Sequence, residues 1–277
     1  MGEHDPQSIH DQIFESSQIL PLKELAVHIL DGGTPSFRIG SLFNLRKICI
    51  EHSSFSSLPQ KFIDRLATLI SQCPNLAHLE VNCYQTSIEG LFRVINADHT
   101  NPLSIEHLSL KNVEVTPAGF ELALRHLKAL KYFGLVNNGP KLGGLYADNS
   151  DIWAILRREK ITLSTIFTDR FEPEAEGLGL YLQAFPGLEN FYVRPTVLPY
   201  LSSPLDLLQI VSPHHSISLV KLDIDTTHSY SDQWNWPFDE ATVRVLSSFP
   251  NLKIFGVTFR FSYIAPEAVV SALSFIF

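Results

Sequence analysis

Short apolar triplets of the form apolar-x-x-apolar-x-apolar recur along the chain. The second and third anchors of each triplet lie two residues apart, which is the period of a strand with one face in the core. Nine triplets occur in order, with first anchors 23 to 33 residues apart: Leu22/Leu25/Val27, Leu45/Ile48/Ile50, Leu76/Leu79/Val81, Ile105/Leu108/Leu110, Leu130/Phe133/Leu135, Leu163/Ile166/Thr168, Leu188/Phe191/Val193, Leu219/Leu222/Ile224 and Leu252/Phe255/Val257. The sixth is the weakest, because Thr168 replaces an apolar anchor. The pattern predicts about nine irregular repeats with one strand each.

Helical patterns fill several of the intervals between triplets. They cover residues 58–72, 116–128, 172–185 and 238–249. Thr116 is an expected N-cap, and Pro117 follows at the first helical position, where its missing N–H costs nothing. Asp239 is the expected N-cap of the last of these helices, and Pro74 closes the first one just before its strand. A strand, a turn and a helix therefore alternate along the chain.

This alternation predicts an α/β fold in which parallel strands stack into one curved sheet, with helices on the convex side. Residues 20–277 form the predicted solenoid, and the polar segment 1–19 is a candidate partial cap. The chain ends in the apolar helical pattern 265–277, so a C-terminal cap is not evident. A truncated gene product is the favoured explanation, and a patch that pairs with another chain is the alternative.

Three segments carry a family resemblance. LSLKNVEVTPAGFELAL at 108–124 looks like the repeat of leucine-rich-repeat proteins of the ribonuclease-inhibitor type. CPNL at 73–76 and FPNL at 249–252 resemble the repeats of F-box leucine-rich-repeat proteins. The family's Asn/Cys position holds Asn138 in the fifth repeat and other residue types elsewhere, and this departure resembles the divergent repeats of fungal F-box-type proteins.

The resemblance implies a substrate-recognition adaptor of a ubiquitin ligase. An F-box is not evident, because LPLKELAVHIL at 20–30 is interpreted as the first repeat strand. Contact with a ubiquitin-ligase scaffold would then use a missing or divergent N-terminal region. A regulator of the same repeat type, either an inhibitor or a GTPase-activating-like protein, is the alternative.

Composition narrows the functional classes. The formal net charge of −8 argues against a nucleic-acid or anionic-membrane binder, because both need a basic surface. Three cysteines without CxxC spacing fit neither a disulfide framework nor a zinc site. The acidic, polar start is not a signal peptide, and no apolar run approaches a membrane span. The sequence predicts a soluble intracellular protein, cytoplasmic or nuclear.

The residues between the anchors are predicted to face the concave side of the sheet. The expected contacts with a protein partner there are Tyr132, Phe167, Tyr192, Arg194 and His107. Exposed Tyr, Phe and Arg side chains are typical anchors of protein interfaces, although a covering loop would also account for them. Trp234 and Trp236 lie in a polar loop, either tucked onto the helices or presented to a partner.

The chemistry of this face favours binding over catalysis. His78, His107 and Glu80 fall on adjacent predicted strands, where hydrogen-bonded surface histidines are favoured over a metal site. Asp223 and Asp225, with Lys221 beside them, are interpreted as a solvated ion cluster in preference to a cation or acid–base site. No GxSxG, HExxH or GxGxxG motif occurs. We therefore expect a non-catalytic interaction scaffold with no catalytic residues, metal or cofactor.

Overall fold

A computed structural model describes residues 22–29, 44–52, 58–98, 101–136, 149–169, 177–193, 204–225 and 240–258. These residues divide into two compact units. Unit 1 contains the described residues up to Leu130, and unit 2 contains those from Lys131 onward. Each unit is an α/β arrangement of parallel strands, which confirms the predicted fold class at this level.

Unit 1 has four parallel strands whose order in the sheet follows their order in the chain. They are β1 (Glu24–Ile29), β2 (Lys47–His52), β3 (His78–Ser87) and β4 (His107–Glu114). Its helices are α1 (Gln60–Ser71), α2 (Ile88–Asp98) and α3 (Pro117–Ala123), and a 3-10 turn follows at Leu124–His126. Helix α2 packs on both α1 and α3. The helices therefore form a second layer against the strands.

Unit 2 repeats this plan with five parallel strands in chain order. They are β5 (Tyr132–Val136), β6 (Thr165–Thr168), β7 (Asn190–Val193), β8 (Lys221–Asp225) and β9 (Ile254–Thr258). The connecting helices are α4 (Ser150–Arg158), α5 (Leu178–Ala184), α6 (Pro204–His215) and α7 (Glu240–Leu246). Each helix packs on the next along the chain. A parallel neighbour requires such a crossover, which explains the strict alternation of strand and helix.

The apolar anchors of successive triplets stack in register inside each unit. Leu79 pairs with Leu108 across β3 and β4, and Phe191 pairs with Leu222 across β7 and β8. All four side chains have 0% exposure. Thr168, the polar member of the weakest triplet, is 1% exposed and in register with the anchors on either side. The predicted strand positions are therefore confirmed, including the least regular one.

Helix boundaries agree with several sequence signals and correct one. Helix α1 ends at Ser71, and Pro74 lies in the turn that follows. The Gly119 N–H donates to Thr116 Oγ1 at 3.1 Å, which confirms the predicted cap of α3. The sequence predicts either Asp148 or Ser150 as the cap of the helix after the Gly-rich connection 137–150. Asp148 lies outside the described residues, Ser150 is the first residue of α4, and Asn149 occupies the cap position. Asp239 lies outside the described residues, as does 172–176 ahead of α5.

A buried tyrosine ties the turn before β6 to the helix that follows this strand. Tyr181 Oη accepts a hydrogen bond from the Leu163 N–H at 3.0 Å and donates one to the Ile161 carbonyl at 2.8 Å. The Tyr181 side chain is 2% exposed, and this burial raises the pKa of its hydroxyl. One side chain therefore satisfies two backbone groups that water does not reach.

Two buried histidines likewise accept hydrogen bonds from backbone N–H groups in the segments before β4 and β7. His126 Nδ1 accepts the Leu103 N–H at 2.9 Å, and His215 Nδ1 accepts the Leu188 N–H at 3.2 Å. His215 Nε2 must then carry the proton, which it donates to the Leu182 carbonyl at 2.9 Å. Burial lowers the pKa of His215, in agreement with this neutral tautomer. His126 ends the 3-10 turn after α3 and His215 is the last residue of α6, so the same hydrogen-bonding arrangement occurs in both units.

Candidate functional site

One face of the unit 1 sheet carries the buried apolar anchors. On the opposite face, the side chains between the anchors form three ladders. The register aligns Glu24, Lys47, His78 and His107 in the first ladder, Ala26, Cys49, Glu80 and Ser109 in the second, and His28, Glu51, Asn82 and Lys111 in the third. This register is the predicted one. Most of these side chains keep some exposure, so the face is polar and mainly accessible.

Two imidazoles and a carboxylate meet at the centre of this face. His78 Nε2 lies 2.5 Å from Glu80 Oε1, and His107 Nε2 lies 3.8 Å from the same oxygen. The two imidazole rings are stacked, with centroids 3.6 Å apart and an interplanar angle of 12°. Lys47 Nζ also approaches Glu80 Oε1, at 3.8 Å. Glu80 is thus the common partner of three basic side chains.

The surroundings set the charges of this cluster. Burial acts to raise the pKa of Glu80, but the hydrogen bond from His78 and the positive charges nearby outweigh it and lower the pKa. Burial lowers the pKa of His107 to about 4, and the neighbouring His78 contributes in the same direction. At neutral pH Glu80 is therefore ionised and His107 is uncharged. An uncharged His107 avoids repulsion within the stacked pair.

Cys49 completes the cluster from the neighbouring strand. It is directly opposite Glu80 in the β2–β3 register. Ligand atoms of Cys49, His78 and Glu80 all lie within 4.8 Å of one another. Burial raises the pKa of the Cys49 thiol, and the charge of Glu80 raises it further. Cys49 and Glu80 also line a depression of about 110 Å³, together with His28, Ile50, Glu51, Val81, Asn82, Ser109 and Lys111.

The corresponding face of unit 2 carries an aromatic pair. Phe167 and Tyr192 are directly opposite each other on β6 and β7, with ring centroids 5.8 Å apart at 46°. Lys221 Nζ lies over the Tyr192 ring, 4.9 Å from its centroid, and 3.8 Å from Asp223 Oδ2. All four side chains are half-buried. They form a continuous surface of rings with a charged border.

Two further residues border this aromatic pair. Tyr132 pairs with Thr165, two residues before Phe167, so it occupies the position diagonal to Phe167, which is within the reach of an aromatic side chain. On the other side, Gly256 is opposite Asp223. A Cβ added at Gly256 would lie 2.9 Å from Asp223 Oδ1. The absence of a side chain there leaves room for the carboxylate.

The structure places the predicted contact residues in different regions. Tyr132, Phe167 and Tyr192 share the unit 2 face, and His107 lies on the unit 1 face. Arg194, Trp234 and Trp236 lie outside the described residues, as do the segment 1–19 and the end of the chain at 265–277.

The ladder rule, which places the residues two, four and six after each first anchor on the open face, overestimates exposure at four positions. Ser109, Val136 and Asp169 were expected on the open face, but their exposures are 4%, 6% and 1%, and Gly134 is also buried. Spacing along the chain determines which face a side chain takes. It does not determine whether neighbouring side chains or segments cover that face.

Cys49 is a site residue to which sequence reasoning gave no role. A usable signal existed, because Cys49 is four residues after its first anchor, as Glu80 is. Comparing the ladders across neighbouring repeats would have placed it in its cluster. Lys221 was expected beside Asp223 in an ion cluster, and it lies 3.8 Å from Asp223 Oδ2, but its position over the Tyr192 ring was not predicted.

No protein-family model and no curated protein matches this chain. Within the part of the chain that the structure describes, no helix combines the length and apolar character that crossing a membrane requires.

Proposed function

We propose that this chain is a non-catalytic, leucine-rich-repeat-type scaffold that binds a protein partner on the exposed sheet face of unit 2. Parallel strands in chain order, with a helix between each successive pair from β2 to β9, support the repeat architecture. The nine apolar triplets support it as well. In such an architecture one sheet face packs on the helices, and the other is available over several repeats.

The contact between Phe167 and Tyr192 carries the proposal. Two large rings lie side by side on an accessible sheet face, where burial against a partner would remove apolar surface from water. Lys221 and Asp223 border them, which matches the usual arrangement of an aromatic centre inside a charged rim. Tyr132 extends the surface by one repeat, and Arg194 is proposed to extend it from the end of β7.

The more specific proposal is a substrate-recognition adaptor of a ubiquitin ligase. Its support is the resemblance of CPNL and FPNL to F-box-associated repeats. Here the partner on the sheet face is the substrate, and a separate region contacts the ligase scaffold. His107, Trp234 and Trp236 are proposed as additional substrate contacts. A regulator of another protein remains the alternative, and it would use the same face without a ligase.

The test compares partner capture by the wild type and by Phe167→Ala and Tyr192→Ala. Interface aromatics of this kind contribute about 2 kcal/mol or more, so each change should weaken binding of the captured partner about 30-fold. Ile217→Ala is the matched control, because Ile217 is 74% exposed and lies in the turn after α6. It removes a comparable apolar side chain away from the ladders, and binding should be unchanged.

Circular dichroism establishes that each variant is folded before binding is measured. Folded alanine variants that bind as tightly as the wild type would contradict the binding face. Recovery of a ubiquitin-ligase scaffold with the same partner would support the adaptor. Its absence, with the partner still lost in both alanine variants, would favour the regulator.

A further inference from the structure

The central cluster of unit 1 brings three different metal-binding groups to one point. A thiol from β2 and an imidazole and a carboxylate from β3 have ligand atoms within 4.8 Å of one another. We propose that Cys49, His78 and Glu80 bind one Zn²⁺ ion on the exposed sheet face, with solvent as the fourth ligand. This site lies in unit 1 and uses none of the aromatic residues of unit 2 that carry the proposed protein-binding function.

The ligand set determines which cation fits. Mg²⁺ and Ca²⁺ prefer oxygen ligands throughout, and two of these three groups offer sulfur and nitrogen. Zn²⁺ accepts thiolate, imidazole and carboxylate in one tetrahedral shell, and sites with three protein ligands keep a position for water. The ligands are half-buried on an accessible face, so an ion can enter from solvent.

The geometry requires only side-chain movements. Zinc bond lengths place tetrahedral ligand atoms about 3.3–3.6 Å apart, so the widest separation must close by roughly 1 Å. The 2.5 Å contact between His78 Nε2 and Glu80 Oε1 must open by a similar amount. Cys49 and Glu80 are already opposite each other in the strand register. Rotation about the side-chain bonds of Cys49, His78 and Glu80 can make these adjustments without moving the strands.

The charge balance is also favourable. Binding replaces the Cys49 thiol proton, which passes to solvent, and leaves one thiolate and one carboxylate to neutralise Zn²⁺. Lys47 must move away from Glu80, which its long and partly exposed side chain allows. His107 is a positioning residue, because its ring is stacked on His78 and restricts the plane of that imidazole.

The experiment titrates the full chain with Zn²⁺ in competition with a chromophoric chelator, under a non-thiol reductant. The variants Cys49→Ser, His78→Gln and Glu80→Gln each remove one ligand, and each should weaken Zn²⁺ binding about tenfold or more. His214→Gln is the control, because it removes an exposed imidazole on α6 and should leave binding unchanged. Co²⁺ should give a thiolate-to-metal charge-transfer band that Cys49→Ser abolishes.

Cysteine alkylation of the wild type gives a readout that does not depend on folded variants. Cys73 and Cys83 have 0% exposure and serve as internal references, whereas Cys49 is partly exposed. Zn²⁺ should slow alkylation of Cys49 alone. The proposal is overturned if the wild type fails to bind Zn²⁺ at micromolar concentrations. It is also overturned if any of the three folded ligand variants binds as tightly as the wild type, or if Zn²⁺ leaves Cys49 alkylation unchanged.

Discussion

Replacing Tyr181 by Phe removes one hydroxyl from the interior of unit 2 and should destabilise it measurably. The ring stays, with its neighbours Trp153 at 5.6 Å and Phe185 at 5.4 Å between centroids, so apolar packing is preserved. The lost oxygen accepts from the Leu163 N–H and donates to the Ile161 carbonyl. Both backbone groups belong to residues that are at most 5% exposed. The substitution therefore isolates two buried hydrogen bonds.

Each buried polar group left without a partner costs about 1–3 kcal/mol. The two groups lie two residues apart and share one partner, so their costs are not fully additive, and we expect a loss of about 2–4 kcal/mol in the free energy of unfolding. Urea denaturation followed by tryptophan fluorescence measures this loss, since Trp153 contacts the substituted ring. Native-state hydrogen exchange at the Leu163 amide should accelerate in the variant, which places the effect at this turn.

Tyr192→Phe is the matched control. It makes the same chemical change on a half-buried ring of the sheet face, and its effect should stay within about 0.5 kcal/mol. Equal losses in the two variants would refute the reasoning, because the hydroxyl of Tyr181 would then contribute no more to stability than the hydroxyl of Tyr192. An unchanged exchange rate at Leu163 would refute it independently.

Three further predictions concern packing, capping and pH. Gly119→Ala should lower the free energy of unfolding by about 1–3 kcal/mol, because the added Cβ would lie 2.9 Å from Glu89 Cβ. Gly90→Ala should raise it by about 0.5–1 kcal/mol, because no atom lies within 4 Å of the added Cβ and alanine favours the helix. In thermal or urea unfolding, Thr116→Ala should cost about 1 kcal/mol and Thr116→Ser much less, because serine keeps the capping oxygen. Burial lowers the pKa of His215 below its ordinary 6.5, so its contribution is complete above pH 6.5 and is lost as the pH falls. Urea denaturation at pH 7.5 and 5.5 should show a smaller loss of stability at the lower pH in His215→Gln than in the wild type. An equal loss in both proteins would contradict this prediction.

The strand positions and their register were predictable because they depend on local spacing. Leu79 and Leu108 were placed as aligned anchors from the triplet pattern alone, and the structure pairs them. The cap at Thr116 was equally local, since its hydrogen bond spans three residues. The cap of α4 was predicted at Asp148 or Ser150, but Asn149 between them occupies this position, because Asp, Asn and Ser are all good capping types and sequence does not rank them.

The hydrogen-bonding task of Tyr181 was not predictable, because its partners lie 18 and 20 residues away in the chain. Sequence periodicity treats a tyrosine on a helix as one more apolar residue. Its hydroxyl has hydrogen-bond partners only when the helix packs beside a particular turn. His126 and His215 were missed for the same reason, with amide partners 23 and 27 residues away.

By itself the sequence determined that strands alternate with helices and which side chains point away from the anchors. Both follow from the two-residue period of a strand and the recurrence of the triplets. Tertiary structure alone decided that Cys49 joins His78 and Glu80, and that Ser109 is covered while Tyr192 remains half-buried. Distances and burial depend on how close neighbouring repeats lie and how their side chains rotate. Those are properties of packing between segments that a period along one segment does not contain.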